Sequence, residues 1–275
     1  MAELPALSVI GLVLGLVLGL TGAGGSILAV PLLMAGLGWD FPRAAALALT
    51  AVAASAAVGA WSGWRQGLVR YRAAALMAVT GLPLAPLGML LAQRLPHRLL
   101  ELLFAAIMLV AGVRLYRQTL EAEVARGAVP VPAGESAEVV CKLDPATGRL
   151  SWNSPCAAAL AATGALTGLL SGLLGVGGGF VLVPVLRQLT ELSMHSAVAT
   201  ALLFVALVSG GAVLLAAAQG SLPVAALALP FAAAAVVGML LGRRLAPKLA
   251  GPRLQRGFAG LMGLVAASMV LAAYT

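Results

Sequence analysis

The stretch Gly22-Ala23-Gly24-Gly25-Ser26-Ile27-Leu28-Ala29-Val30-Pro31 decides the reading of the chain, because it has a counterpart in Gly175-Val176-Gly177-Gly178-Gly179-Phe180-Val181-Leu182-Val183-Pro184. One offset of 153 residues relates the two. The same offset carries Gly11, Gly15 and Gly19 onto Gly164, Gly168 and Gly172. Six glycines and a proline keep register, which makes this an internal repeat. Both copies lie in apolar runs, where a glycine costs about 1 kcal/mol against alanine in a helix interior. A cluster of three or four therefore marks a break in the helix.

Of the 275 residues, 61% are hydrophobic and only 9% are charged, with a mean hydropathy of +1.05. Several runs reach the roughly 20 residues that cross a bilayer core. The expected fold class is an all-α integral membrane protein of two homologous halves. Each half has about four transmembrane helices plus glycine-broken half-helices that can be re-entrant. Residues 1–116 form the first repeat, 117–155 a polar linker, and 156–275 the second repeat. The net charge of +8 would suggest nucleic acid in a soluble protein. Here the basic residues fall in short connections between apolar runs, as in cytoplasmic loops, so the expected partner is the lipid bilayer and no nucleic acid. No cleavable signal pattern follows Glu3, and the first span is expected to remain in the mature protein. Cys141 and Cys156 flank the polar stretch and read as two unrelated small residues, pairing only in an oxidising compartment with suitable geometry.

Leu4–Leu37 is one apolar run broken at Thr21–Ser26, followed by a half-helix. Proline is favoured at a first helical position, so Pro31 suggests a start there with Gly24–Val30 extended. Further spans are read at Ala44–Trp61, Ala73–Leu91 (bent by Pro83 and Pro86), Leu99–Leu115, Cys156–Leu186 (broken), Ala197–Ala218, Leu222–Leu241 and Phe258–Tyr274. A small hairpin is expected within Leu143–Trp152. Gln66-Gly67 and Gln219-Gly220 read as helix stops. The loop Arg243–Arg256 holds five basic residues and no acid, which places it inside. Arg65–Arg72 outweighs Arg94–Arg98 by one basic residue, a narrow margin toward inverted halves.

Broken backbone at membrane depth is tolerated where it lines a cavity or is buried in protein. Helix-start amides carry partial positive charge and bind anions. The expected pocket therefore has Gly22, Gly24, Gly25 and Ser26 on one side and Gly175, Gly177, Gly178 and Gly179 on the other. Thr50 and Thr200 would add side-chain donors. The ladders Gly11/Gly15/Gly19 and Gly164/Gly168/Gly172 read as close helix packing. No phosphate-binding loop, cofactor motif or metal-ligand cluster is present; His97 and His195 are the two histidines. An intramembrane hydrolase could pair only Ser171 with His195, and lacks a surrounding nucleophile motif. Ionisable groups within the spans are scarce, and Glu101 reads as a local partner of Arg98. With no evident proton carrier, potential-driven anion export is the simplest energetic route.

On the two glycine motifs and on Ser193-Met194-His195-Ser196-Ala197-Val198-Ala199-Thr200, the chain resembles the TauE/SafE family of sulfite exporters, also called toluene-sulfonate uptake permeases. The resemblance spans nearly everything outside 117–155. It implies a duplicated transporter of small sulfur-containing anions, sulfite or organosulfonates, multi-pass in a bacterial inner membrane and without cofactor. A homo-oligomer is allowed. The alternatives are a cation-coupled organosulfonate importer and an anion channel, with an enzyme last. In the first half, Asp40–Thr50 keeps only Thr50 and an alanine-rich character, so equal roles for Thr50 and Thr200 are not implied.

Overall fold

The computed structural model describes residues 3–127, 140–142, 150–218, 225–249 and 252–274. In chain order these form α1 (Glu3–Thr21), a 3-10 segment (Gly22–Leu28), α2 (Ala29–Leu37), α3 (Phe41–Arg65), α4 (Tyr71–Gly81) and α5 (Leu84–Arg94). They continue with α6 (His97–Gly127), α7 (Ser154–Leu174), α8 (Gly179–Leu189), α9 (Met194–Ala218), α10 (Ala225–Leu249) and α11 (Pro252–Tyr274). Among the described residues six helices are long and apolar enough to cross a membrane, or seven when α4 and α5, bent by 42°, count as one span. Pro83 stands at that bend, where its ring and missing N–H interrupt the helix. The protein is an all-α membrane bundle. Val79, Leu214, Leu229, Leu264 and Leu271 lie exposed on its outside, suited to hydrocarbon rather than water.

The glycine ladders decide which helices touch. A Cβ added at Gly11 would meet Phe231, one at Gly15 would lie 1.9 Å from the Ala235 carbonyl oxygen, and one at Gly19 would meet Met239. Both series rise together, so α1 and α10 run side by side in the same direction. The second ladder does the same for α7: Gly164 lies against Met77, Gly168 against Gly81, and Gly172 has its added Cβ 1.9 Å from the Ala85 carbonyl oxygen. In contrast α3 runs antiparallel to α9, with Gly59 beside Leu202 and Gly63 beside Ala199. Gly112 of α6 approaches Ala259 of α11. Every helix but α2 thus packs on an element from the other half of the chain.

Both broken runs double back. After the 3-10 segment the chain returns along α1, so Gly25 abuts Leu18 and Gly36 abuts Ile10. After Gly175–Gly178 it returns along α7, so Gly178 abuts Thr167. At the far end of α8, the Cys141 N–H donates to the Leu189 carbonyl at 2.9 Å. Cys141 is in turn bonded to Cys156 in the first turn of α7, with a Cα–Cα distance of 5.1 Å. α1 and α7 enter from opposite faces of the bundle.

Four expectations need correction. Gly24–Val30 is not extended: Gly22–Leu28 winds as a 3-10 helix that runs into α2, and the Ala29 N–H donates to the Ser26 carbonyl. Pro31 lies in the first turn of α2, where its missing N–H breaks no α-helical bond. The polar stretch from 117 does not start as a loop, because α6 continues to Gly127. Cys141 and Cys156 are not unrelated but form a disulfide, brought together by the return of α8. Most of the expected hairpin, residues 143–149, and the stop Gln219-Gly220 lie outside the described residues. Gln66-Gly67 does end α3, with Gly67 at φ 69°. Aromatic rings hold basic side chains at both faces. The Arg43 guanidinium is 3.9 Å from the Trp39 ring centroid, and that of Arg65 is 5.2 Å from the Trp61 centroid.

Candidate functional site

A cavity of about 1030 Å³ opens on the face where α1, α3 and α10 end and α9 begins. Gly19 to Gly22 form part of its wall, facing Ser62 and Gln66 of α3 and Phe180, Val183 and Pro184 of α8. Ile107 and Val110 of α6, with Phe258 and Met262 of α11, make the rest largely apolar. Among the described residues that line it, the charged ones have one sign: Arg114, Arg187, Arg243 and Arg244, with His195 beside them and no Asp or Glu. In apolar walls an excess of cations concentrates anions. Arg243 is the best anchored of them: its Nη1 donates to the Gly59 carbonyl of α3, across the packing of α10 on α3.

The expected site residues separate. Gly22 lines the cavity, whereas Gly25, Ser26, Gly175, Gly177, Gly178, Gly179, Thr50 and Thr200 are not among its described lining residues, and the surroundings of Gly24 lie outside the described residues. The two breaks nevertheless adjoin, since α8 packs on the 3-10 segment and Phe180 and Val181, just past Gly179, reach the cavity wall. Gly25 and Ser26 are buried within the 3-10 winding, which occupies its own amides by bonding each to a carbonyl three residues back. The Thr50 hydroxyl donates to the Leu47 carbonyl at 2.7 Å. Thr200 is fully buried, and its hydroxyl accepts the Arg70 N–H at 3.0 Å, tying α9 to the α3–α4 connection. The Thr50 proton is thereby used by backbone, whereas Thr200, as an acceptor, keeps its own O–H.

The second break has a different character. Gly175, Gly177 and Gly178 have φ of 67°, 74° and 67°, a region costly for residues with a side chain. The first turn of α8 has no acidic residue, and its N-cap makes no side-chain capping bond. A helix start that is buried and uncapped leaves donors facing inward. Ser171 and His195, the one conceivable hydrolase pair, are not assembled: His195 lines the cavity and Ser171 does not.

Sequence reasoning missed the arginines. Arg114, Arg187 and Arg243 come from α6, α8 and α10. No local spacing marks them as neighbours, and packing alone brings them together.

Comparison with known proteins agrees with the motifs. Two curated relatives, each a "Probable membrane transporter protein", come from Xylella fastidiosa strains 9a5c and Temecula1. Each is 31% identical, over 198 and 200 residues respectively, covering 71% of this chain and 67% of the relative. No solved structure matches. The family described as Sulfite exporter TauE/SafE matches residues 7–269. With the doubled glycine motif and the helical bundle that it breaks, the chain belongs to the TauE/SafE sulfite exporter family of multi-pass membrane transporters.

Proposed function

We propose that the protein exports a small sulfur-containing anion, sulfite or an organosulfonate, across a bacterial inner membrane. The observation that carries this reading is the cavity whose described lining holds four arginines, one histidine and no carboxylate. Orientation follows from charge. The connections at the cavity face, 65–72 and 243–256, hold eight basic residues, against three in 39–43 and 94–98 on the other face. By the positive-inside rule the cavity opens to the cytoplasm. The Cys141–Cys156 bond lies on that same face, where cytosolic thiols oppose disulfides. The charge asymmetry outweighs it, and the pair is expected as a dithiol in the resting cell. A cavity that loads from the cytoplasm suits export, and moving one negative charge outward gains roughly 2.3 kcal/mol per 100 mV of inside-negative potential.

We further infer that residues 1–116 and 156–275 are inverted repeats. Support comes from the reciprocal packing of α1 on α10 and of α7 on α4 and α5. The opposite faces from which α1 and α7 enter support it too. Inverted repeats with discontinuous helices near the midplane are a recurrent transporter plan.

Two measurements test the export reading. In proteoliposomes loaded with sulfite or methanesulfonate, an inside-negative potential alone is expected to drive efflux. A strict requirement for a proton or sodium gradient would overturn the uncoupled mechanism. In the same assay Arg243→Gln is expected to raise KM about tenfold, as befits a cation a few ångströms from an anion in a partly screened cavity. Arg243→Lys, which keeps the charge but not the planar fork, is expected to stay within about threefold. Equal KM values for Gln and wild type would remove Arg243 from the site.

A further inference from the structure

We infer that the innermost anion site is the enclosure at the second break, where the hydroxyls of Ser171 and Ser209 join the first amides of α8. This rests on the transporter reading above and adds two side chains to it.

A hydroxyl in a helix ordinarily turns back on its own backbone. The hydroxyls of Ser8, Thr21, Ser55, Thr163 and Thr167 all do so, donating to the carbonyl four residues earlier at 2.6 to 2.9 Å. Ser171 and Ser209 do not. They are 1% and 0% exposed, and among the described residues neither Oγ has a hydrogen-bond partner. An unpaired buried hydroxyl costs about 1–3 kcal/mol, so each of the two calls for a partner.

Both belong to the break. Ser209 Oγ lies 2.9 Å from where a side-chain carbon on Gly177 would sit, so the hydroxyl faces the backbone that glycine leaves bare. Ser171 stands in the last turn of α7, and its carbonyl accepts the Gly175 N–H that closes the helix. On the other side of the break in sequence, α8 begins without a capping side chain and without an acid, and the Gly178 carbonyl accepts the Val181 and Leu182 N–H groups. The first N–H groups of such a helix have no intrahelical acceptor. Two hydroxyls and a helix start amount to donors without an acceptor, which is the complement of an oxyanion.

The first break offers no equivalent. The 153 offset carries Ser171 back onto Leu18, and the 3-10 segment runs into α2 without a gap. One such site, and not a symmetric pair, is therefore assigned. Phe180 follows Gly179 directly and lines the cavity, so the second break adjoins the basic vestibule. The ligand class is a small oxyanion with several acceptor oxygens, the chemistry shared by sulfite and the head of a sulfonate.

The test compares wild type, Ser171→Ala, Ser209→Ala and the double variant, purified as full chains. Calorimetric titration uses sulfite, methanesulfonate and acetate, and thermal unfolding is recorded without ligand. Methanesulfonate cannot cleave a disulfide, so it guards against sulfite opening Cys141–Cys156. Each single change is expected to weaken sulfite and methanesulfonate binding about tenfold, the double about 100-fold, as for lost hydrogen bonds to a charged group. Ligand-free stability should hold or rise, because an unpaired buried hydroxyl has been removed. Affinities within twofold of wild type would overturn the inference, as would a parallel loss of ligand-free stability and binding. If the wild type binds neither sulfur anion, the export reading fails first and the enclosure falls with it.

Discussion

Gly178→Val is expected to bring anion efflux down to the level of empty liposomes while the protein still inserts and purifies as a monodisperse species. Gly178 caps α8 at φ 67° and ψ 0°, a left-handed conformation that costs an L-residue roughly 1–2 kcal/mol, and a β-branched one is the poorest choice there. Its surroundings add to the strain. An added Cβ would lie 2.4 Å from Thr167 Cγ2 and 2.8 Å from the Thr167 carbonyl oxygen. The methyl can rotate, but the carbonyl is fixed in α7, so the start of α8 must move away and take its amides with it. Gly178→Ala should show the same defect in weaker form. Gly38 and Gly67 separate strain from site, since both have similar φ (64° and 69°) with nothing within 4 Å of an added Cβ. Alanine at either should cost some stability and leave KM unchanged. Wild-type efflux from Gly178→Val would remove the second break from the transport path.

Much of this architecture was legible in the glycines. The 153 offset gave the two related runs, and the helix break after Leu174 was readable because Gly175, Gly177 and Gly178 share a backbone region that other residues avoid. The first break was misread because its glycine content looks the same while its winding differs. Among the described residues there, only Gly22 has a positive φ, and a 3-10 helix needs no more. The threonines are hard to read from sequence for another reason. Whether a helical hydroxyl serves a ligand depends on which backbone group claims it, and neither the Leu47 carbonyl beside Thr50 nor the Arg70 N–H beside Thr200 can be seen in a motif. The basic cavity was beyond reach, because Arg114, Arg187 and Arg243 are neighbours only after α6, α8 and α10 have packed. The same holds for Cys141 and Cys156, whose meeting depends on α8 returning along α7.

Leucine at Gly15 or at Gly172 is expected to abolish folded protein altogether, measured as the monodisperse fraction after extraction and purification. Within hydrocarbon, helices associate through close packing and not through exclusion of water, so small residues set how near two backbones come. An added Cβ at Gly15 would lie 1.9 Å from the Ala235 carbonyl oxygen, and one at Gly172 would lie 1.9 Å from that of Ala85. In both cases the obstacle is main chain, which cannot rotate aside. Even alanine must push α1 off α10, or α7 off α5, by more than 1 Å to reach ordinary contact near 3.5 Å, and leucine by more. The loss would spread along the ladder, because Gly11 and Gly19 or Gly164 and Gly168 depend on the same approach. Spacing alone does not predict this. Gly257, Gly260 and Gly263 recur every three residues along α11, yet an added Cβ at any of them meets nothing within 4 Å. Alanine at Gly260 or Gly263 is therefore expected to leave yield and efflux intact and to gain up to about 1 kcal/mol of helix propensity. If Gly15→Leu and Gly260→Leu were tolerated equally well, glycine backbone contact between α1 and α10 would not be what holds the two halves together.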